Sequence, residues 1–132
     1  MKLIVCLDDR NGMFFNRRRQ SRDQVVYQKM IELAQNSALW MNVYSGELFT
    51  SNNVKIAEDF LAQAQPGDYC FVENTDVLPY CEQIEKVYVF RWNRVYPADT
   101  HFPNELFSGE KVTVAEFPGK SHPKITLEVY SR

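Results

Sequence analysis

Apolar positions in this chain fall into short unbroken runs, separated by longer stretches with helical spacing. Leu3-Ile4-Val5-Cys6-Leu7 is the first run, bounded by Asp8-Asp9 and the turn pair Asn11-Gly12. A run without polar interruption predicts a strand buried on both faces, as parallel sheets require. Ser21 followed by Gln24 has the form of a capping box, and predicts a helix from about Arg22 to Gln35. Val26, Met30 and Leu33, joined by Tyr27, Ile31 and Ala34, give that helix an apolar stripe. Ala38 to Met41 reads as a second strand. Val54 to Ala64 reads as a second helix, with Ile56, Phe60 and Leu61 on one face and Pro66-Gly67 as its stop. Tyr69 to Val72 is a third strand, Asp76 heads a short helix through Cys81 and Ile84, and Lys86 to Phe90 is a fourth strand. Lys111 to Phe117 and Ile125 to Tyr130 form an antiparallel pair at the end. Strands alternating with helices predict an α/β fold in three layers: a mostly parallel sheet, helices on both faces, and an antiparallel C-terminal hairpin.

Length and composition narrow this picture. The 132 residues predict one domain over 1–132, large enough to hold together without metal or disulfide. Three cysteines without a C-x-x-C or His/Cys cluster predict no metal site. The odd count fits a reducing compartment. The first apolar run is too short for a signal sequence core or a membrane span. The expectation is therefore a cytoplasmic protein with no membrane partner.

Charge adds one local feature. The net charge of −2 argues against a polyanion binder as a whole. Yet Arg10, Arg17, Arg18, Arg19 and Arg22 fall in a stretch with no acid between them. Arginine forks match phosphate oxygens, and Phe14-Phe15 adds surface on which bases stack. RNA or a phosphorylated ligand is the partner class this loop admits; the alternative is a solvated loop paired with surface acids. Glu73 and Asp76 follow the third strand, at the end of an open sheet where ligands bind. They are either a ligand-binding pair or two solvated acids. His101 reads as structural, in a turn set by Asp99, Thr100 and Pro103. His122 stands isolated in the hairpin loop. No Ser-His-Asp order or H-x-x-x-H spacing is read as hydrolytic.

Val87-Tyr88-Val89-Phe90, then Asp99-Thr100-His101-Phe102-Pro103, then the two closing strands resemble the C-terminal third of dihydrofolate reductase. Lys2 to Leu7 is similar to that family's first strand. Leu39-Trp40-Met41 is similar to the strand entering its cofactor loop, and Tyr69 to Val72 to the strand entering its Gly-Gly turn. The resemblance implies that Asp23 is the carboxyl that bonds pterin and assists its protonation. Tyr27, one helical turn on, faces the same cleft. Desolvation there would raise the Asp23 pKa, as general-acid work needs.

The departures concern the cofactor. Where the family has G-R/K-x-T, the chain reads Asn42-Val43-Tyr44-Ser45 and keeps only the Ser45 hydroxyl. Where it has Gly-Gly, the chain reads Glu73-Asn74-Thr75-Asp76, whose carboxylates repel a pyrophosphate. Phe90 replaces a threonine that helps position pterin. The loop after the first strand lacks the family's L-P-W element, and a strand-and-loop unit is missing between Phe49 and Val54. The reading is a divergent relative that lacks dihydrofolate reductase activity and acts as a ligand- or macromolecule-binding protein. Its binding residues would be Tyr27, Phe90, Ser45, Arg17, Arg18, Arg19, Glu73 and Asp76. If the chain is an enzyme, the resemblance implies an NADPH-dependent reductase of a pterin-like substrate with Asp23 as acid, working with degenerate phosphate-binding motifs. A third reading is a nucleic-acid-associated protein using Arg17 to Arg19.

Overall fold

The computed structural model describes residues 1–132. In chain order its elements begin with β1 (Lys2–Leu7), β2 (Gly12–Phe15), β3 (Arg18–Arg19), α1 (Gln24–Leu33), β4 (Leu39–Met41) and α2 (Val43–Gly46). They continue with β5 (Val54–Ile56), α3 (Phe60–Gln63), β6 (Tyr69–Phe71), a 3₁₀ segment (Leu78–Gln83) and β7 (Lys86–Arg91). The chain ends with β8 (Thr100–His101), a second 3₁₀ segment (Asn104–Phe107), β9 (Lys111–Phe117) and β10 (Ile125–Ser131). Seven strands form the main sheet in the order β5-β4-β6-β1-β7-β10-β9. The pairs from β5 to β7 are parallel, and β10 runs antiparallel to both β7 and β9. This is the mostly parallel sheet with an antiparallel tail that the hydrophobic pattern predicts.

β1 lies at the centre and divides two cores. Leu3, Val5 and Leu7 join Phe60, Leu61, Val87 and Val89 on one face. Ile4 joins Val26, Met30, Phe71 and Phe90 on the other. The two-residue period of a strand sorts them, and burial of each aliphatic side chain contributes about 1.5–3 kcal/mol. α1 covers the second face. α3 and the 3₁₀ segments cover the first, through Phe60, Leu61 and Leu106. No helix is long and apolar enough to cross a membrane.

Two expected elements are different in the structure. Val54–Ile56 is not helical; it pairs parallel with β4, in the register Leu39↔Val54, Trp40↔Lys55 and Met41↔Ile56. β-branched residues suit this edge position, and the helix is confined to Phe60–Gln63. Ile56 is 51% exposed and takes no part in the stripe with Phe60 and Leu61. At the start of α1, Asp23 rather than Ser21 is the N-cap; its side chain accepts the Val25 N–H. The far end of α1 is tied to β5, because the Asn53 amide donates to the Ala34 carbonyl at 2.9 Å.

A second, three-stranded sheet, β3-β2-β8, explains the Asp99-Thr100-His101-Phe102-Pro103 run. Gly12 faces His101 and Phe14 faces Thr100. The Asp99 carboxylate accepts the Asn16 N–H, and the Phe102 N–H donates to the Asn11 carbonyl. The motif therefore anchors the arginine-rich loop as a hairpin. Asn16 and Arg17 form its two-residue turn, with φ of 51° and 60°. Positive φ at both central residues matches the strand twist. The root of the hairpin is held by Asp8, whose buried carboxylate accepts N–H groups from Arg10, Gly12 and Tyr96 and the Gln20 amide. Burial would raise the Asp8 pKa, but these donors lower it below the ordinary carboxylate value.

Candidate functional site

The parallel strands β4, β6 and β1 end at one rim, and residues from three segments meet there. Arg19, at the end of β3, reaches across to Glu73 just beyond β6. Its Nε lies 2.8 Å from Glu73 Oε2 and its Nη2 lies 3.1 Å from Oε1. The Ser45 hydroxyl, on α2, donates to the same Oε1 at 2.7 Å. The Arg19 guanidinium lies over the Tyr44 ring, 4.3 Å from its centroid, and the Tyr44 hydroxyl accepts the Arg19 N–H. Arg19, Ser45 and Glu73 are thus brought together, but bound to one another. Burial would lower the Arg19 pKa; the Glu73 carboxylate raises it further than that.

The helix start beside this cluster is also occupied from within. The Val43 N–H donates to Glu58 Oε2 at 2.9 Å, and the Ser45 N–H to Asn42 Oδ1 at 3.0 Å. A phosphate at a helix start needs such N–H groups free. The residues present do not fit a pyrophosphate: the Val43 and Ser45 donors are taken, and Glu73 contributes a negative charge where the anion would lie. α2, which sequence periodicity missed, is too short to show a repeat.

Other expected site residues separate. Arg17 and Arg18 are exposed at the hairpin tip beside Phe15, which is 43% exposed. Glu73 is buried, whereas Asp76 is exposed and accepts the Leu78 N–H, so they do not act as a carboxylate pair. Phe90 is not a rim residue. It is fully buried and packs on Phe117, with ring centroids 6.3 Å apart. A side chain on the inward face of a central strand is core, so the expected ligand contact is corrected.

Asp23 departs furthest from expectation. Its Oδ1 accepts the Val25 and Lys120 N–H groups, each at 3.0 Å. Its Oδ2 accepts the Ser121 N–H at 2.9 Å, the Ser121 hydroxyl at 3.1 Å and His122 Nδ1 at 2.9 Å. Burial pushes its pKa up, but the His122 bond and then the three N–H groups hold it well below the ordinary carboxylate range. The raised value expected of a cleft acid is replaced by the opposite shift. Gly119 makes the contact feasible, since a Cβ there would fall on the Asp23 carboxylate.

His122 stands alone in the sequence but not in the fold. Its ring stacks on Trp92 at 4.6 Å, with Nε2 2.9 Å from Ser21 Oγ and 3.3 Å from the Tyr96 hydroxyl. Ninety-nine residues separate it from Asp23, and no local pattern announces the pairing.

Two spaces adjoin these groups. A groove of about 760 Å³ runs beside α1, floored by Tyr27, Ile31 and Phe49 and flanked by Arg22, Ser51 and Lys120. Tyr27 is mostly core, edge-on to Phe49 at 5.5 Å, and burial raises its hydroxyl pKa above the ordinary phenol value. A second cavity of about 10 Å³ lies between Cys6, Ser21, Tyr27, Arg19 and Glu73. Burial first, then the Glu73 charge, raises the Cys6 thiol pKa well above its ordinary value.

No protein-family model matches this chain, and no curated protein matches it. Among solved structures, dihydrofolate reductase from Enterococcus faecalis, complexed with NADP(H) and RAB-propyl, aligns with a TM-score of 0.65. The alignment covers 99% of this chain and 95% of that one at 14% sequence identity. At that identity the likeness bears on the fold, and it agrees with the sheet order and tail described above. The chain has a dihydrofolate reductase-like fold, in a divergent form.

Proposed function

We propose that this chain is a single-domain, dihydrofolate reductase-like binding protein without dihydrofolate reductase activity. The observation that carries the reading is the Arg19–Glu73–Ser45 cluster. It stands where the fold's phosphate-holding turns would be and is satisfied internally. Asp23 supports the same conclusion, because a carboxylate with five donors is a poor proton source. The alternative, an NADPH-dependent pterin reductase with Asp23 as acid, would need both clusters to open. The ligand would occupy the groove beside α1, whose volume lies within the ordinary range of about 300–1,000 Å³. Its apolar floor and flanking Arg22 and Lys120 suit a flat ligand with an anionic end.

Thermal unfolding with NADPH and with methotrexate-like pterins tests this. A ligand at about a hundred times its Kd stabilises by ~2.7 kcal/mol. The expected outcome is no shift with NADPH at millimolar concentration. A clear NADPH shift overturns the reading in favour of the reductase.

A second reading, nucleic-acid association, rests on the hairpin tip. Arg17 holds a left-handed backbone conformation that costs an arginine about 1–2 kcal/mol, and it presents its charge to solvent beside Arg18 and Phe15. Arg19 is withdrawn from that surface. Single-stranded RNA binding by wild type and Arg17→Ala/Arg18→Ala at two salt concentrations checks it: loss in the variant and a steep salt slope support it, and equal binding eliminates it.

A further inference from the structure

The sequence carries no Ser-His-Asp order, yet the fold builds such an arrangement. Asp23 Oδ2, His122 Nδ1, His122 Nε2 and Ser21 Oγ form a continuous chain with 2.9 Å at both links. The ionised Asp23 carboxylate only accepts, so the proton of the pair sits on Nδ1, and in the neutral ring Nε2 carries a lone pair. Nε2 then accepts from the Ser21 hydroxyl. We propose that Ser21 is a nucleophilic serine, activated by His122 and oriented through Asp23, that hydrolyses small esters reaching it from solvent. This goes beyond the binding function inferred above and does not depend on it.

Each part of such a device has a physical basis here. The base is positioned from both sides: Trp92 stacks on the imidazole at an interplanar angle of 25°, and Asp23 holds Nδ1. The orienting carboxylate is itself fixed by main-chain N–H groups from Val25, Lys120 and Ser121. Nucleophile, base and orienter in mutual hydrogen-bond reach define the arrangement by geometry and role, whatever the fold. Ser21 is half-buried, and its neighbour Arg22 is exposed with a main-chain N–H that donates to no protein acceptor. That donor is uncommitted, as stabilisation of an oxyanion next to the nucleophile requires. The cavity beside Ser21, about 10 Å³, has room for no more than one water, so a small ester reaches Ser21 Oγ from the solvent side of this half-buried residue.

In the first step Ser21 Oγ bonds the carbonyl carbon of the ester while its proton passes to His122 Nε2. Collapse of the tetrahedral adduct breaks the carbon–alkoxide bond, and Nε2 returns the proton to the leaving alcohol. Water then adds to the acyl-serine, with its proton taken by Nε2. The carboxylic acid leaves as Ser21 Oγ recovers the proton.

The test uses the full chain with two probes, p-nitrophenyl acetate and a small alkyl fluorophosphonate, with the modified residue located by mass spectrometry. Wild type is expected to turn over the acetate and to take one phosphonyl group at Ser21. Ser21→Ala, a small change at a half-buried position, should remove the label and lower turnover about 100-fold or more. His122→Gln should slow labelling by a similar factor while Ser21 stays present. An unlabelled Ser21 in wild type, or equal turnover in wild type and Ser21→Ala, overturns the proposal.

Discussion

Arg19 and Glu73 illustrate how single residues decide what this rim of the sheet does. A buried pair gains little over an apolar pair of the same shape, but either partner alone is a buried unpaired charge. Arg19→Ala or Glu73→Ala should therefore each lower stability by on the order of 3 kcal/mol. Arg19→Met/Glu73→Leu should be close to wild type. Urea unfolding of the four proteins checks this; equal losses in singles and double would show that the pair does not act as a unit. Asp23 leads to a pH prediction. Its folded pKa is depressed, so its contribution is fully present above the unfolded value of about 3.9 and is lost as pH falls toward the lower folded value. Between pH 5 and 2 the wild-type Tm should fall more than that of Asp23→Asn, and parallel curves would contradict the assignment. Legibility at this scale was partial. Asp23 and Tyr27 stand out through the family resemblance, and their spacing of one helical turn is local. The pairing of Asp23 with His122 did not, because the tertiary fold alone brings Gly119 and the loop after it onto the start of α1.

At the scale of elements, hydrophobic runs located β1, β4, β6 and β7 well, since each is buried on the central sheet. The reading failed where a segment was short or lay at an edge. Val43-Tyr44-Ser45-Gly46 completes one turn, with no second turn to establish a period. Val54-Lys55-Ile56 was absorbed into a false helical stripe, since Ile56 and Phe60 are four apart and only pairing with β4 distinguishes the cases. The arginine loop became a hairpin because Asp99 and Thr100 pair with it across more than eighty residues. Its turn yields a further prediction. Glycine accepts positive φ without the steric cost that Arg17 carries at 60°. Arg17→Gly should raise stability by up to about 1 kcal/mol, visible as a higher Tm, although it removes a cation from the tip. An unchanged or lower Tm would show that the side chain repays the strain through its own contacts.

For the molecule as a whole, the mostly parallel sheet and its antiparallel tail were legible from the succession of apolar runs, and the family resemblance, carried in part by one pentapeptide, implied the fold. A sheet with this connectivity leaves few alternatives once the runs are located. Function was less legible, because it depends on which charged groups meet across the rim, and each meeting joins distant parts of the chain. Cys6 offers a way to watch that rim. Its sulfur borders the small cavity that Arg19 and Glu73 enclose, and its raised pKa keeps it a thiol at neutral pH. Cys6 is half-buried, so alkylation quickens whenever the β2–β3 hairpin swings away and exposes it fully, and the reagent counts openings as a clock counts strokes. Peptide mass spectrometry after timed iodoacetamide exposure should find Cys6 modified slowly in wild type and several-fold faster in Arg19→Ala. Identical rates would mean that the thiol is reached by another route and that the ionic clasp does not time the door.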